Sequence, residues 1–555
     1  MRHALQSAIV YSCIAILLTW PAAFELGESI PGADGTALWR SYWAIQHVTQ
    51  SILDGQSLFV TDALNFPRGG TLVVNDLFGA LIVFPFAVFL GPAVALGLLV
   101  IIQLAFAGWT IHMFSRDFLI RGLDTETPKW GPWISGLGLM VSSLVMSHVH
   151  NGATEALSVG WTVLAIWMSW RAAFLSSIRG ALLAGCCLTL ASIAHVYGGV
   201  VAFVFAAALL LSERAKGTFF LNQSRWVTLV FGLLLTLPIA NGLSQVGDGK
   251  NSLNQPTSLE VIQEATRSTG SADPLVYVRP GRHLSPDFGK LPQQEHRYVH
   301  IHYLGLVGLS LTLWLLFRGR RDRYGFLLVG GVTCLVISLG PVWLHDGRPV
   351  IFSSEYAVPL PYFLLEGLPG FAHLNAPWKF ALGPVITIAM MAGLAVDQLR
   401  IRFALIAAAL LCLDARVLSP AAEIGTALSV APADSIVGLA SAPEGAVINY
   451  PLRSGEVYLY EQTVHGKPIA GTFSKVASPR AMRLWRRIHG ESQKSPDTFH
   501  KAVSSTAKRL GIRYLVIHTD PNAEPDVYSA AVRKIEKLFP TPDWGRGQTR
   551  VVPLW

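Results

Sequence analysis

Charge is scarce in this chain. Only 14% of its 555 residues are Asp, Glu, Lys or Arg, while 52% are apolar. A soluble domain carries nearer a quarter charged residues, so the composition excludes an ordinary soluble protein and marks an integral membrane protein. Cysteine is also sparse. Cys13, Cys186, Cys187, Cys334 and Cys412 all lie in apolar runs without metal-ligand spacing, and they read as small packing residues. There is no internal repeat and no low-complexity tract, so the inverted-repeat signature of many transporters is missing. The formal charge of +8 does not point to nucleic acid. The basic residues sit in short clusters between apolar runs, and that is the topology pattern of a membrane protein.

What is present is a series of apolar segments. The start, "MRHALQSAIVYSCIAILLTWPAAF", has a positive end but a poor cleavage site, so it reads as an uncleaved first span. A span needs about 20 apolar residues. Candidates lie near 5–24, 92–114, 131–147, 153–170, 178–195, 197–212, 226–243, 303–317, 325–343, 380–397 and 403–418. The stretch 78–114 is broken at Gly91-Pro92 and reads either as one span behind an interfacial helix or as two spans. Charge decides. With the N-terminus in the cytoplasm and one crossing by 78–114, fifteen Lys and Arg fall in six cytoplasmic segments, from Arg2 to Arg400 and Arg402. The short outer loops 148–152 and 195–197 then carry none. The expectation is a polytopic α-helical protein of about eleven transmembrane helices, N-terminus inside and C-terminus outside.

Residues 1–418 are thus expected to form the transmembrane domain, with outer loops 25–77 and 244–300. Residues 419–555 are expected to form a soluble α/β domain on the outer face. Its strand-like runs are 446–452, 513–519 and 550–555, with helical patterns near 498–510 and 525–538. In the first loop, Leu38, Tyr42, Ile45, Val48 and Ile52 recur at helical spacing, with Trp39 and Trp43 beside them. This predicts an amphipathic helix lying in the membrane interface, ended by Asp54-Gly55. Just before it, "SIPGADG" places Asp34 between glycines at the end of the first span.

The segments "PGADGTALWRSYWA", "LFVTDALNFPRGGTL", "GLPGFAHLNAPWKFALGP" and "YLYEQTVHGKPIAGTFSK" are individually loose but run the length of the chain. Together they resemble the GT-C superfamily of polytopic glycosyltransferases, and more closely a set of GT-C-like bacterial membrane proteins. The resemblance implies a membrane glycosyltransferase of the bacterial cytoplasmic membrane and cell envelope. Such an enzyme moves a sugar from a polyprenyl-phosphate donor to an acceptor on the outer face, with membrane lipids as partners and no nucleic acid. Its relatives usually carry arginine at the position of Lys379, and often another near Asn375. The alternative reading is a non-enzymatic polytopic protein for lipid or polysaccharide transport or assembly. A transporter would carry charges within its spans, whereas here Asp397 and Asp414 stand near span ends.

Glycosyl transfer from a lipid phosphate needs a base for the acceptor hydroxyl and cationic or hydrogen-bonding groups for the departing phosphate. In the superfamily an acid of the first outer loop serves as base or metal ligand, and Asp34 matches it by position. Read without the resemblance, Asp34 caps the helix behind it. Asp62, Asp76 and Glu155 are further acid candidates. Arg40, Arg68, Arg282 and Lys379 are candidates for the phosphate, with Arg40 equally readable as a headgroup anchor. Tyr460 and His465 of the tail motif are expected to help cover the site, unless that stretch is a plain surface loop. The outer face is rich in histidine: His148, His150, His195, His296, His300 and His302. His296 and His300 have i, i+4 spacing but no carboxylate to complete a metal site. A divalent metal is admitted by the resemblance and is not evident from the sequence.

Overall fold

The computed structural model describes residues 2–33, 37–214, 223–247, 271–279, 302–318, 321–345, 348–353, 356–365, 374, 376–418, 427–450, 457–471, 479–491, 496–518 and 549–555. Two compact units emerge. The first comprises Met1–Thr36, Asp76–Ala240 and Ile262–Leu428, and the second Ala37–Asn75, Asn241–Val261 and Ser429–Trp555.

The first unit is helical. Each of the eleven apolar segments contains helix, and the stretch 78–114 divides at Gly91 into Leu77–Leu90 and Pro92–Asp117, which pack together. Gly91 sits at φ 86°, a backbone open to glycine, and Pro92 opens the second helix, where its missing N–H is not needed. By length and apolar composition, Pro92–Gly122, Gly131–Asn151, Gln223–Gln245 and Pro377–Asp397 are able to cross a membrane. The other apolar helices, such as Arg2–Leu18 and Gly325–Ser338, are shorter.

Leu382–Asp397 forms the centre of this unit. Every residue in it is buried, as expected of a helix that is apolar all round. It packs on Gly131–Met140, Leu306–Arg318 and Gly325–Ser338. Gly393 makes the close approach possible, because a Cβ there would strike the Ser135 hydroxyl and the Gly131 carbonyl. The two acids near span ends are caps. Asp397 Oδ1 accepts from the backbone N–H groups of Lys129 and Gly131 at 2.8 and 3.0 Å. Asp414 accepts from the Tyr303 hydroxyl at 2.7 Å and the Val307 N–H at 3.0 Å. Both satisfy donors that a helix start leaves open.

The second unit joins the first loop to the tail. Ala446–Tyr450 pairs in parallel with Ile512–His518, which pairs antiparallel with Thr549–Pro553. These strands match the three expected runs, and Pro496–Leu510 matches the expected helix before the central strand. The pattern at 525–538 lies outside the described residues. Alternate strand residues, including Ile448, Tyr450, Leu515 and Ile517, meet Leu484, Ile488 and Val503 from the two helices Pro479–Glu491 and Pro496–Leu510 in one core.

The first-loop helix runs from Leu38 to Leu53, and Asp54 caps its end. The sequence placed Trp39 and Trp43 among lipid headgroups. They are instead 3% and 2% exposed, packed on Val457–His465 of the tail. The Trp39 ring stacks on Tyr460 at 4.4 Å, and Trp43 Nε1 donates to Gln462 Oε1 at 2.8 Å. A hairpin formed by Val60–Thr61 and Gly70–Thr71 follows. The Asn65 and Phe66 N–H groups in its turn donate to the carbonyls of Gly471 and Ile469. The tail motif "YLYEQTVHGKPIAG" is thus the clamp that holds the first loop.

Candidate functional site

Asp76 caps Leu77–Leu90, with its Oδ1 accepting from the Gly79 N–H at 2.8 Å. Its own backbone is left-handed, at φ 48° and ψ 46°. That conformation costs a non-glycine residue on the order of 1 kcal/mol, and Asp is among the residues that tolerate it best. The carboxyl lies over Gly79 so closely that any side chain there would collide with it. Asp76 is 8% exposed, and among the described residues its Oδ2 has no hydrogen-bond partner.

The turn Thr154–Leu157 brings Glu155 to the same place. Thr154 and Gln103 lie beside the Asp76 carboxyl, and the Glu155 charge acts on it. Gln103 projects from the middle of Pro92–Asp117 and donates to the Ser158 hydroxyl at 3.2 Å. The Glu155 Oε2 is also buried without a hydrogen-bond partner. Burial is the main reason the Asp76 carboxyl is pushed up to about 7, with the Glu155 charge adding to it and the hydrogen bonds opposing it. Two of the acids singled out in the sequence are therefore near enough for the charge of one to act on the other.

Asp34 itself lies outside the described residues. Its neighbour Ala33 donates its N–H to the His150 carbonyl at 2.9 Å, so the chain arrives at the turn that leads to Glu155. The helix behind Asp34 has Ala37 at its N-cap, with no side-chain cap. Among the described acid candidates, Asp62, Asp76 and Glu155, it is Asp76 that caps a helix.

The same turn carries a basic, aromatic cluster. His148, near the end of Ser143–Asn151, stacks near Trp378, whose other ring neighbour is His302 at 5.2 Å. Lys379 Nζ stands 5.1 Å from the centre of the Tyr197 ring and 5.7 Å from that of Trp378, both distances at which a cation is attracted to an aromatic face. His195 lies 5.6 Å from Tyr197. His195 and Lys379 are close enough for the lysine charge to act on the imidazole. Burial pushes His302 down to about 3. His148 Nδ1 and His195 Nε2 are buried atoms without a hydrogen-bond partner among the described residues. Lys379 therefore stands among aromatic faces and imidazoles, a setting that suits an anion.

The remaining candidates fall elsewhere. Arg282, His296 and His300 lie outside the described residues. Arg40 is half-buried on Leu38–Leu53, while Arg68 and Asp62 are exposed on the hairpin of the second unit. The Tyr460 hydroxyl donates to the Val430 carbonyl. His465 Nδ1 accepts from the Lys467 N–H at 3.0 Å, so this histidine fixes a turn. Among the described residues no group of three or more His, Cys, Asp or Glu side chains is arranged so that it could hold a metal ion. That donor set does not make a metal centre, and no step below passes through one.

Sequence reading missed Gln103, Thr154, Tyr197 and Trp378. Gln103 left a signal, as a polar residue in the middle of an apolar run. Trp378 and Tyr197 look like ordinary interfacial aromatics and left none.

No protein-family model matches the sequence, and no curated protein matches it. Solved structures do. The oligosaccharyltransferase AglB from Archaeoglobus fulgidus, in complex with an inhibitory peptide and a dolichol-phosphate, is 12% identical with a TM-score of 0.51. The match covers 93% of this chain and 69% of AglB. ArnT from Cupriavidus metallidurans, bound to undecaprenyl phosphate, is 12% identical with a TM-score of 0.51, and the match covers 99% of this chain and 98% of ArnT. The arabinofuranosyltransferase AftD from Mycobacteria is 14% identical with a TM-score of 0.52, covering 95% of this chain but 38% of AftD. At these identities the likeness is one of fold: the chain is similar in architecture to the GT-C membrane glycosyltransferases.

Proposed function

We propose that this protein transfers a sugar from a polyprenyl-phosphate-linked donor to an acceptor on the outer face of a bacterial cytoplasmic membrane. The observation that carries the reading is the run from His148 to Ser158, which sets His148 by Trp378 and Lys379 at one end and Glu155 near the buried Asp76 carboxyl at the other. Acids and an anion-binding cluster side by side are what transfer from a phosphate leaving group requires. ArnT and AglB, which share the fold, were solved with undecaprenyl phosphate and dolichol-phosphate.

In the reaction the acceptor oxygen forms a bond to the sugar C1 while the bond from C1 to the phosphate oxygen breaks. The bonding pair leaves on the phosphate, and the acceptor proton passes to a carboxylate. Lys379, with His148 and His195 beside it, would receive the phosphate. Asp34 would take the proton, with Glu155 as the next candidate. The two span-end acids, Asp397 and Asp414, are engaged as helix caps, which favours a site at the boundary over a charged path through the bilayer.

The test uses the full-length protein in nanodiscs with a short-chain polyprenyl-phosphate sugar. Asp34→Asn should lower transfer by about a hundredfold to ten-thousandfold, the usual loss for a general base. Near-normal transfer by that variant would move the base to Glu155.

A further inference from the structure

The positive charge of the chain is unevenly placed. Residues 479–513 hold nine Lys and Arg against two acids, a surplus of seven, while the whole chain has a surplus of eight. In the second unit this stretch forms the helices Pro479–Glu491 and Pro496–Leu510 and the start of the central strand. Ala481, Leu484 and Ile488 of the first helix, with Val503 and Ala507 of the second, point into the sheet core. The cations lie on the other side. Arg480, Arg483, Arg486 and Arg487 are exposed on the first helix, and Lys501, Lys508 and Arg509 on the second. Arg487 Nη1 donates to Thr506 Oγ1 and ties the helices together, so their outer sides make one basic face.

A merely solvated face mixes both signs of charge. Here Arg480, Arg483 and Arg487 stand three and four residues apart, spacings at which like charges repel on a helix. Among the described residues no carboxylate pairs with Arg480, Arg486, Lys501 or Arg509. Six of the nine cations are arginine, whose planar fork meets carboxylate or phosphate with paired hydrogen bonds. An aromatic ring stands at one edge. Trp555 is 38% exposed, with Arg513 4.9 Å and Lys508 5.9 Å from its ring centre. Its Nε1 donates to the Ile512 carbonyl at 2.9 Å, which fixes the indole in place. Both helices spend their apolar sides in the core, so neither has one left to enter a bilayer, as a membrane-surface helix requires.

We propose that this face binds an acidic glycan, with its carboxylate or phosphate groups on the arginine stripe and a sugar ring on Trp555. The stripe from Arg480 to Arg487 runs about 10 Å along its helix and continues onto the second helix, so the ligand it fits is a polymer and not a single sugar. Glycan binding stands on this face alone. That the bound glycan is the acceptor of the transferred sugar rests on the function proposed above.

The test uses the full-length protein in nanodiscs of neutral phosphatidylcholine. The probes are two acidic glycans, polygalacturonate and phosphomannan, with neutral dextran as the control. At least one acidic glycan should bind and dextran should not, and added NaCl should weaken the binding. Arg480→Glu, Arg486→Glu and Lys501→Glu together should weaken it about tenfold or more, since three exposed pairings are lost and reversed. Glutamine at the same three positions, a milder change that keeps the fold safe, should give a smaller loss in the same direction. Trp555→Ala should weaken glycan binding about tenfold and leave binding of linear polyphosphate, which has no sugar ring, unchanged. Failure of both acidic glycans to bind, or equal binding by the charge variants, would overturn the proposal. An equal effect of Trp555→Ala on glycan and polyphosphate would overturn the glycan as ligand. So would capture by phosphatidylglycerol vesicles without glycan binding, because the face would then be a membrane contact. Glycan binding as stated, in a protein that transfers no sugar, leaves the basic face standing and counts against the function proposed above.

Discussion

The indole N–H of Trp43 donates to the side-chain oxygen of Gln462 at 2.8 Å, joining the first loop to the tail across most of the sequence. Both groups are buried, at 2% and 8% exposure. Trp39 on Tyr460 and Trp43 on His47 extend the contact into one aromatic cluster. The first-loop helix is therefore held by the tail motif through named side chains, and its stability can be tested there.

Trp43→Phe keeps most of the ring but leaves the Gln462 oxygen buried without its donor. The cost should be about 1–3 kcal/mol. Trp39→Ala removes a whole buried indole and should cost about 3–5 kcal/mol. Thermal unfolding of the purified protein measures both. A double variant with Gln462→Leu should recover part of the Trp43→Phe loss, because the orphaned oxygen is then gone.

The second unit should be most stable in a window bounded on both sides. Burial pushes Glu461 up to about 8 and pushes His518, 3.4 Å away, down to about 3. The folded state holds a proton on Glu461 that the unfolded chain releases. That contribution is complete below the ordinary carboxyl value of about 4.3 and is lost as the pH rises through about 8. The neutral His518 works in the opposite sense. Its contribution is complete above about 6.5 and is lost as the pH falls toward about 3, and His465, lowered to about 4, adds to that acid limb. Glu461→Gln should flatten the alkaline limb of melting temperature against pH and leave the acid limb in place. An unchanged alkaline limb would rule out Glu461 as its source.

Lys379 should matter through its charge. Lys379→Met should raise the KM for the lipid-phosphate donor about tenfold to a hundredfold, the range of one charge-assisted hydrogen bond. Lys379→Arg, which supplies the residue usual in the relatives the sequence resembles, should retain most of the affinity. Equal losses in the two variants would argue for a packing role between Tyr197 and Trp378.

The arrangement of basic loops predicts that residue 35 and residue 543 share the outer side of the membrane. In a chain freed of its five cysteines, single cysteines at Gly35 and Asp543 should both react with an impermeant thiol reagent in intact cells. Protection of the first with labelling of the second would overturn the eleven-span topology.

The sequence by itself determined the helices, because their signal is local. Runs of apolar residues, the Gly91-Pro92 break and the three- and four-residue spacing of Leu38, Tyr42, Ile45 and Val48 each specify an element within one window. The strands of the tail were legible for the same reason. What only the tertiary structure decided is which faces meet. An amphipathic face with tryptophans satisfies its apolar side equally well in a lipid interface or against another helix, so periodicity alone could not distinguish headgroups from Tyr460 and Gln462. Likewise several acids stand near helix starts, and Asp76 is a cap because the backbone turns there, whereas the helix Leu38–Leu53 begins at Ala37. The meeting of Asp76 with Gln103 and Thr154, and of Lys379 with Tyr197 and Trp378, joins residues far apart in the chain. No local pattern encodes such pairings, because they arise only when the spans pack.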